Sequence, residues 1–557
     1  MENQYKIIRN LGAKMSIVLV MFFAHSACND ILTEDPVSLA TADSYYSTAV
    51  GMQDGLKACY PFLRQYYGPE RSFYLTVIGT DINTNGFGGH KNNPSFNNYD
   101  QNLLGTHAFF RQIWDPFYEG INQCNTIIAR AGDVPDMTDD EKSAAIAEAK
   151  YLRAHYYFIL VQLWGDVHFT LEETIGAETE AFRTPVKTIY DEGIVPDLEE
   201  AIQNLPDPST SSVLPGKANK AAAEALLARV QLTLGNWSEA ERLANNVMDN
   251  YDFALEDLDK LWDIDNQLNS EVIWSVQYST DPLVNGGGNQ AWNFFVWDYT
   301  RNPAMLRDIE NGKPHQRFMP TNYYLNMWDV ESDARYDASF KTVWIANKTG
   351  TINGHVVNPG DTAIKIVLHP VDDAVQESAP YWYIDYNGED VTSQSDPLQI
   401  GGDSRRLWPS FYKKYYDNKR TSVNAIDGNR DFVVIRLAEM YLIAAEAAFN
   451  QSRNDDAATH INNLRQRAIK PGREAEMFVE PGDIDLNFIL EERAKELGGE
   501  GHRWFDLKRT GTLLDRVKMY NPDAAPNIKE MHLVRPIPQT QIDRVSNPGD
   551  FLQNPGY

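Results

Sequence analysis

Residues 217–250 read KANKAAAEALLARVQLTLGNWSEAERLANNVMDN. The first half places alanine at 218, 221, 222, 225 and 228. Small side chains at helical spacing make a stripe against which a neighbouring helix approaches closely. Leu234-Gly235-Asn236 breaks that helix. Asn236 and Glu239 offer a capping pair for the next one. Trp237, Ala240, Ala244, Val247 and Met248 then form its apolar stripe. The segment is therefore a helical hairpin.

The same pattern recurs on both sides. Thr138-Asp139-Asp140-Glu141 has the form of a capping box. The helix it opens carries Ala145, Ala149, Leu152, Tyr156, Ile159, Leu160 and Leu163 on one stripe, and Gly165 suits its C-terminus. An earlier helix, about His107 to Ala131, is available to pack beside it. A third hairpin is expected from about Phe432 to Ala468, with its turn at Asn450 to Asn454. Small residues at the hairpin contact, a polar turn and an amphipathic partner are the logic of tetratricopeptide-like repeats. The strict repeat signature is absent, so the repeats are degenerate; an unrelated helical bundle is the alternative.

Residues 255 to 419 lack this periodicity. Glu271 to Tyr278 alternates like a short strand, Gly286-Gly287-Gly288 is a flexible loop, and Ile364 to Leu368 is a short β-prone run. The expected fold is mainly α: a tetratricopeptide-like helical-repeat scaffold with a loop-rich, partly β ligand-binding region. The expected units are a signal peptide (1–27), an N-terminal helical half (28–254), a loop-rich region (255–430) and C-terminal helices with a tail (431–557).

The N-terminus carries an export signal. Lys6, Arg9 and Lys14 precede the apolar run Met15 to Ala24, and small residues then lead to Cys28. The run is shorter than the roughly 20 residues a spanning helix needs. Cys28 directly after Ser26-Ala27 reads as a lipidation site, leaving the body in water on acyl chains. The plainer alternative is cleavage near Ala27 with Cys28 as a bystander, and His25 stands where such signals usually carry an apolar residue. With Cys28 acylated, Cys59 and Cys124 remain, and the sequence leaves their pairing open. The formal net charge is −28, from 50 basic and 78 acidic residues. Such a body repels a phosphate backbone, so nucleic acid is not an expected partner.

Glu492, Glu496 and Glu500 fall on one helical face with His502 nearby. A helical di-metal centre needs a second helix bearing Glu-x-x-His, and none appears. Arg493 and Arg503 compete for these carboxylates, so the expectation is a structural ion-pair network with the C-terminal tail docked on it, and no metal site. No His-Glu-x-x-His, Gly-x-Ser-x-Gly, phosphate-binding loop or Cys-x-x-Cys occurs. Asp385 to Asp390 is rich in oxygen ligands, but its glycine is misplaced for an EF-hand. No cofactor is expected; a structural calcium ion is compatible with the acidic loops without being predicted.

Aromatic residues in the loops suit a sugar, whose rings present apolar faces and a rim of hydroxyls. Trp292-Asn293-Phe294-Phe295-Val296-Trp297-Asp298-Tyr299 is the densest cluster, followed by Tyr323, Tyr324 and Trp328. A second runs from Tyr66-Tyr67 to Phe87. The expected ligand contacts are Tyr67, Asp81, Asn83, Phe87, Trp292, Phe294, Trp297, Tyr299 and Trp328; against each stands ordinary packing in a core.

Three ordered stretches carry a resemblance: Tyr151 to Asp166 (YLRAHYYFILVQLWGD), Ile489 to Arg509 (ILEERAKELGGEGHRWFDLKR), and Arg535-Pro536-Ile537-Pro538 with Gln553 to Tyr557. With the N-terminal signal they resemble the SusD/RagB family of Bacteroidetes outer-membrane lipoproteins over essentially the whole mature chain. The resemblance implies a non-catalytic protein on the outer leaflet, sitting as a lid over a SusC-like TonB-dependent transporter. Such proteins capture oligosaccharides, in some cases peptides, for uptake. It also implies a tetratricopeptide-like scaffold with ligand loops near the two aromatic regions. Acidic residues after the lipidated cysteine are common there; here Asp30, Glu34 and Asp35 follow, with Asn29 intervening. The reading is a surface-exposed lipoprotein that binds a glycan. The competing readings are peptide cargo, a secreted glycoside hydrolase and a protein-only repeat scaffold. Nothing in the chain names the glycan, its length or its linkage.

Overall fold

The computed structural model describes residues 42–87, 92–209, 214–388, 391 and 411–557. The export segment and Cys28 lie outside these residues. Among the described residues the fold is mainly helical, with 49% helix against 8% strand. Its frame consists of α1 (Ala49–Lys57), α2 (Ala108–Arg130), α3 (Asp139–Trp164), α4 (Val195–Asn204), α5 (Lys220–Leu234), α6 (Trp237–Asn250), α7 (Leu437–Asn450) and α8 (Asn454–Arg465). From α2 to α8 each helix packs on the next, so the hairpins stack in sequence order. The alanines at 221, 222, 225 and 228 are fully buried, as the close helix contacts require.

Local signals account for most helix ends. The Thr138 hydroxyl accepts from Glu141 N while the Glu141 carboxylate accepts from Thr138 N at 2.8 Å, completing the capping box. Gly235 closes α5 at φ 76°, a left-handed value glycine adopts freely. The capping pair expected at Asn236 does not form. The Asn236 amide donates instead to Gln231 Oε1 at 2.7 Å, back along the preceding helix. The cap missed from sequence is Asn219, which accepts from Ala222 N at 3.0 Å and starts α5.

Helix α6 packs directly on α7 although nearly two hundred residues separate them. The irregular middle is thus an excursion that leaves the frame and returns to it. Two strands close its neck: β2 (Val272–Val276) pairs antiparallel with β7 (Phe432–Arg436). The third hairpin therefore starts at Leu437, five residues later than expected. The β-branched run Val433-Val434-Ile435 favours a strand where helical spacing alone does not discriminate. From the N-terminal half β1 (Asn83–Asn85) pairs with β3 (Phe318–Pro320) of the excursion, and within the excursion β4 (Val343–Ile345), β5 (Thr362–Val367) and β6 (Trp382–Asp385) form a three-stranded sheet. This part has its own core, built on Trp297, Tyr299, Trp344 and Ile364.

Helices α9 (Leu486–Leu497) and α10 (Arg503–Arg509) carry the charged motif, and α11 (Leu513–Tyr520) follows it. Its carboxylates face guanidinium groups. Glu492 binds Arg335 and Arg465; Glu496 binds Arg335, Arg436 and Arg467; Glu500 binds Arg436 and Lys414. Asp506 is held by Arg493 and Arg509. The tail docks elsewhere than expected, on the end of α3. Trp164 Nε1 donates to Pro536 O at 2.9 Å, and the Asn554 amide donates to Trp164 O at 2.9 Å. Only Arg535 reaches the motif, with its guanidinium 4.6 Å from the Trp504 ring. Cys59 and Cys124 are buried free thiols.

The network makes stability depend on acid. Burial alone raises the Glu500 carboxyl, but Arg436 and Lys414 outweigh it and hold it down at about 2. Glu492 and Glu496 are depressed in the same sense, against burial, by their arginines. A depressed carboxylate contributes stability that is fully present above its unfolded value and lost as pH falls through its folded one. The melting temperature should therefore hold near neutrality and fall steeply from about pH 4.5 towards 2. Glu500 alone accounts for a change on the order of 3 kcal/mol. A thermal melt series in acid checks this, and a flat profile down to pH 3 contradicts it.

Candidate functional site

Eight of the nine residues expected to touch ligand lie in the interior. Trp297 and Tyr299 are fully buried, with the Tyr299 ring stacked 4.8 Å from Trp344. Trp292 lies beneath the Arg420 guanidinium, 3.5 Å from its ring centre. Phe294 packs on Phe73 and Phe318, and Trp328 on Tyr324, Tyr336 and Phe340. The Tyr67 hydroxyl is hydrogen-bonded to His155 Nε2 at 2.7 Å, and burial pushes the His155 pKa down to about 3. Asp81 is sealed between Arg503 and Arg516, and Asn83 is fully buried in β1. These side chains hold the core together; their faces meet protein, so they do not offer a sugar a platform. The reason is physical: an excursion poor in aliphatic stripes builds its interior from rings, each of which buries a large apolar area.

Phe87 is the exception. It is half-buried at the end of the loop after β1, with the Arg301 guanidinium 5.4 Å from its ring centre. Arg301 is itself tied to Asp298 at 3.1 Å. The β1–β3 register extends one step further, where Gly86 N donates to Arg317 O at 2.9 Å, so Phe87 emerges beside Arg317. Arg317 pairs with Glu70. The next residue, Arg71, donates to Gln65 and, at 3.3 Å, to Gln112 Oε1. Gln112 lies in the first turns of α2, near the half-buried Phe109. His107 caps that helix: its Nδ1 accepts from Phe109 N at 3.2 Å, and its Nε2 therefore carries the proton to Asn93 Oδ1 at 3.1 Å. Burial pushes the His107 pKa down, in keeping with a neutral ring. His315 is likewise held neutral, at about 4, by burial and by Arg317, Lys313 and Arg307.

The pairs Arg301–Phe87, Arg317–Glu70, Arg71–Gln112 and His107–Asn93 together outline a polar rim beside Phe87. Guanidinium and amide groups on such a rim read hydroxyls through directed hydrogen bonds. The half-exposed rings of Phe87 and Phe109 supply flat apolar area beside them. Of the nine expected contacts Phe87 alone is not buried, and the arginines near it were not among those expected. Glu70-Arg71 directly follows Tyr66-Tyr67-Gly68-Pro69, and that proximity was the available signal. Arg317 reaches the rim through the pairing of β1 with β3, and Arg301 comes from the turn Tyr299–Arg301.

Comparison with known proteins bears on the whole chain. The model described as "SusD family" matches residues 259–557. The chain belongs to the SusD family. A second family model, described as "Starch-binding associating with outer membrane", matches residues 40–232. SusD-like protein P2 of Formosa agariphila is 26% identical over 566 residues, 97% of this chain and 98% of that protein. The starch-binding protein SusD of Bacteroides thetaiotaomicron is 26% identical over 439 residues, 76% of this chain and 74% of its own. Among solved structures, a laminarin-binding SusD-like protein superposes with a TM-score of 0.63 at 23% identity, covering 92% of this chain and 100% of that one. A SusD homologue of Bacteroides thetaiotaomicron gives 0.68 at 21% identity, covering 93% and 98%. This SusD-family protein therefore shares the fold of its solved relatives over nearly its full length.

Proposed function

We propose that this protein is a non-catalytic, surface-exposed lipoprotein, anchored to the outer membrane through Cys28, that binds a glycan and passes it to a SusC-like TonB-dependent transporter. The family assignment, the outer-membrane description of the matched model and the starch- and laminarin-binding relatives support this reading. The observation that carries it in this chain is the set of guanidinium and amide groups gathered near the half-buried ring of Phe87. The rim suits a neutral sugar better than a reactive substrate. Its histidines are held neutral by burial, and its carboxylate Glu70 is engaged by Arg317.

Affinity electrophoresis through gels containing laminarin, starch or xylan should retard the protein on at least one polymer, with no new reducing ends released. Phe87→Ala or Arg301→Ala should weaken that retention roughly 10- to 30-fold, the range of a central interface residue. Cys28→Ala should move the protein from the membrane to the soluble fraction. Calorimetric binding of peptides with no response to any glycan would instead favour peptide cargo, and polymer cleavage would defeat the reading.

A further inference from the structure

A groove of about 720 Å³ lies between residues 258–263, the segment around 334–343 and residues 412–416. It shares no residue with the Phe87 rim, and its volume falls in the range that ligand sites occupy. Trp262 lines it half-exposed. Behind that ring lie two deeply buried cations, Lys414 and Arg436, at 5.3 and 5.5 Å from its centre. Both cations belong to the ion-pair network, so the indole is fixed on a rigid base.

Tyr416 lines the same groove, half-buried, and its hydroxyl donates to the Glu310 carboxylate. The buried guanidinium of Arg430 donates to Tyr416 O at 2.9 Å and also to Trp262 O. One side chain thereby ties the backbone segments that carry the two aromatic residues before any ligand arrives, which lowers the ordering cost of binding. The rim is hydrogen-bonding and of mixed sign. Asp263 and Glu310 are exposed acceptors; Lys341 and Lys413 are donors. Lys341 is anchored at 2.9 Å to Asn311 Oδ1 and lies 4.3 Å from the Trp344 ring centre. Carboxylates facing outward on a chain of net charge −28 repel polyanions. Flat rings on a fixed base within a hydroxyl-reading rim fit an uncharged polyol ring.

We propose that this groove is a second binding site for a neutral oligosaccharide, with Trp262 and Tyr416 as stacking surfaces and Arg430 as the positioning residue. The inference extends the glycan-binding reading and rests on it for the class of ligand. Calorimetric titration of the protein with laminarihexaose and with maltohexaose tests it, using Phe87→Ala, Trp262→Ala and the double variant, each with a thermal melt. The expected result is two sites in the parent protein, one in each single variant and none in the double. Trp262→Phe should recover part of the lost affinity. Should Trp262→Ala fail to fold, Asp263→Lys at the exposed rim must remove the same site. Loss of all binding in Phe87→Ala alone overturns the second site and leaves the function intact. Loss of all binding in Trp262→Ala alone supports the groove and defeats the Phe87 rim. Full binding in both Trp262→Ala and Asp263→Lys, or no heat from either sugar in the parent protein, overturns the inference.

Discussion

Arg436→Met should lower the unfolding free energy by about 3–5 kcal/mol, the usual cost of removing one partner from a buried ionic cluster. Arg436 is 2% exposed and ends β7, where the chain returns from the excursion to the frame. It donates to Glu271 and Glu496 at 2.7 and 2.6 Å and to both oxygens of Glu500 at 2.8 and 2.9 Å. It thereby ties β2, through Glu271, to the end of α9. Among the described residues the cluster balances. Glu271, Asp333, Glu492, Glu496 and Glu500 meet Arg335, Lys414, Arg436, Arg465 and Arg467 in a connected set of ion pairs. Methionine fills the volume but leaves one negative charge uncompensated in a site with little access to water. The remaining cations share the load, which keeps the expected loss within this range. Urea denaturation measures it. Lys57→Ala, which breaks the exposed pair with Asp54, is the contrast and should leave the urea midpoint essentially unchanged, because water screens the pair. A loss below about 1 kcal/mol for Arg436→Met would show that the cluster does not hold the excursion to the frame.

The helical frame was legible in the sequence because its signals are local. Alanine stripes, a Thr-x-x-Glu box and a turn glycine each act within a few residues, and the hairpins at 217–250 and 437–465 follow from them. The strand Phe432–Arg436 was not legible, since Arg436 alone separates its apolar residues from those that open α7. The ion-pair network was legible in kind but not in its partners: Glu492, Glu496 and Glu500 are met by Arg335, Lys414, Arg436, Arg465 and Arg467 from outside the motif, while Arg493, expected to compete for them, binds Asp506 and Arg503 binds Asp81. The candidate site was the least legible part. A tryptophan in an irregular segment carries the same sequence signal whether it covers a sugar or fills a small core, and Trp297 and Trp344 do the latter. What separates Phe87 from them is the β1–β3 register, a pairing of distant segments that periodicity does not encode.

Asp81 makes this difference measurable. In a loop next to Asn83 and Asn85 it reads as a hydroxyl acceptor, and on that basis Asp81→Ala would abolish sugar binding while leaving the melt unchanged. The structure gives the opposite expectation. Asp81 is fully buried and accepts from Arg503 Nε and Nη2 at 2.7 and 2.6 Å and from Arg516 Nε at 2.8 Å. Burial opposes its charge, but the two guanidiniums outweigh that and lower the carboxyl below its ordinary range, so it stays ionised. Arg503 also donates to Leu490 O, and Arg516 to Asn487 Oδ1 and Tyr323 Oη. Through these two arginines the carboxylate joins the loop before β1 to α9, α10 and α11. Asp81→Ala should therefore cost about 3–5 kcal/mol by leaving two buried cations unpaired. Asp81→Asn keeps the volume and one acceptor oxygen and should lose about half as much. Binding measured well below the lowered melting temperature should survive in Asp81→Asn, since the Phe87 rim and the Trp262 groove draw none of their groups from this carboxylate. An Asp81→Ala protein that melts like its parent yet no longer binds sugar would return Asp81 to the ligand and remove it from the frame.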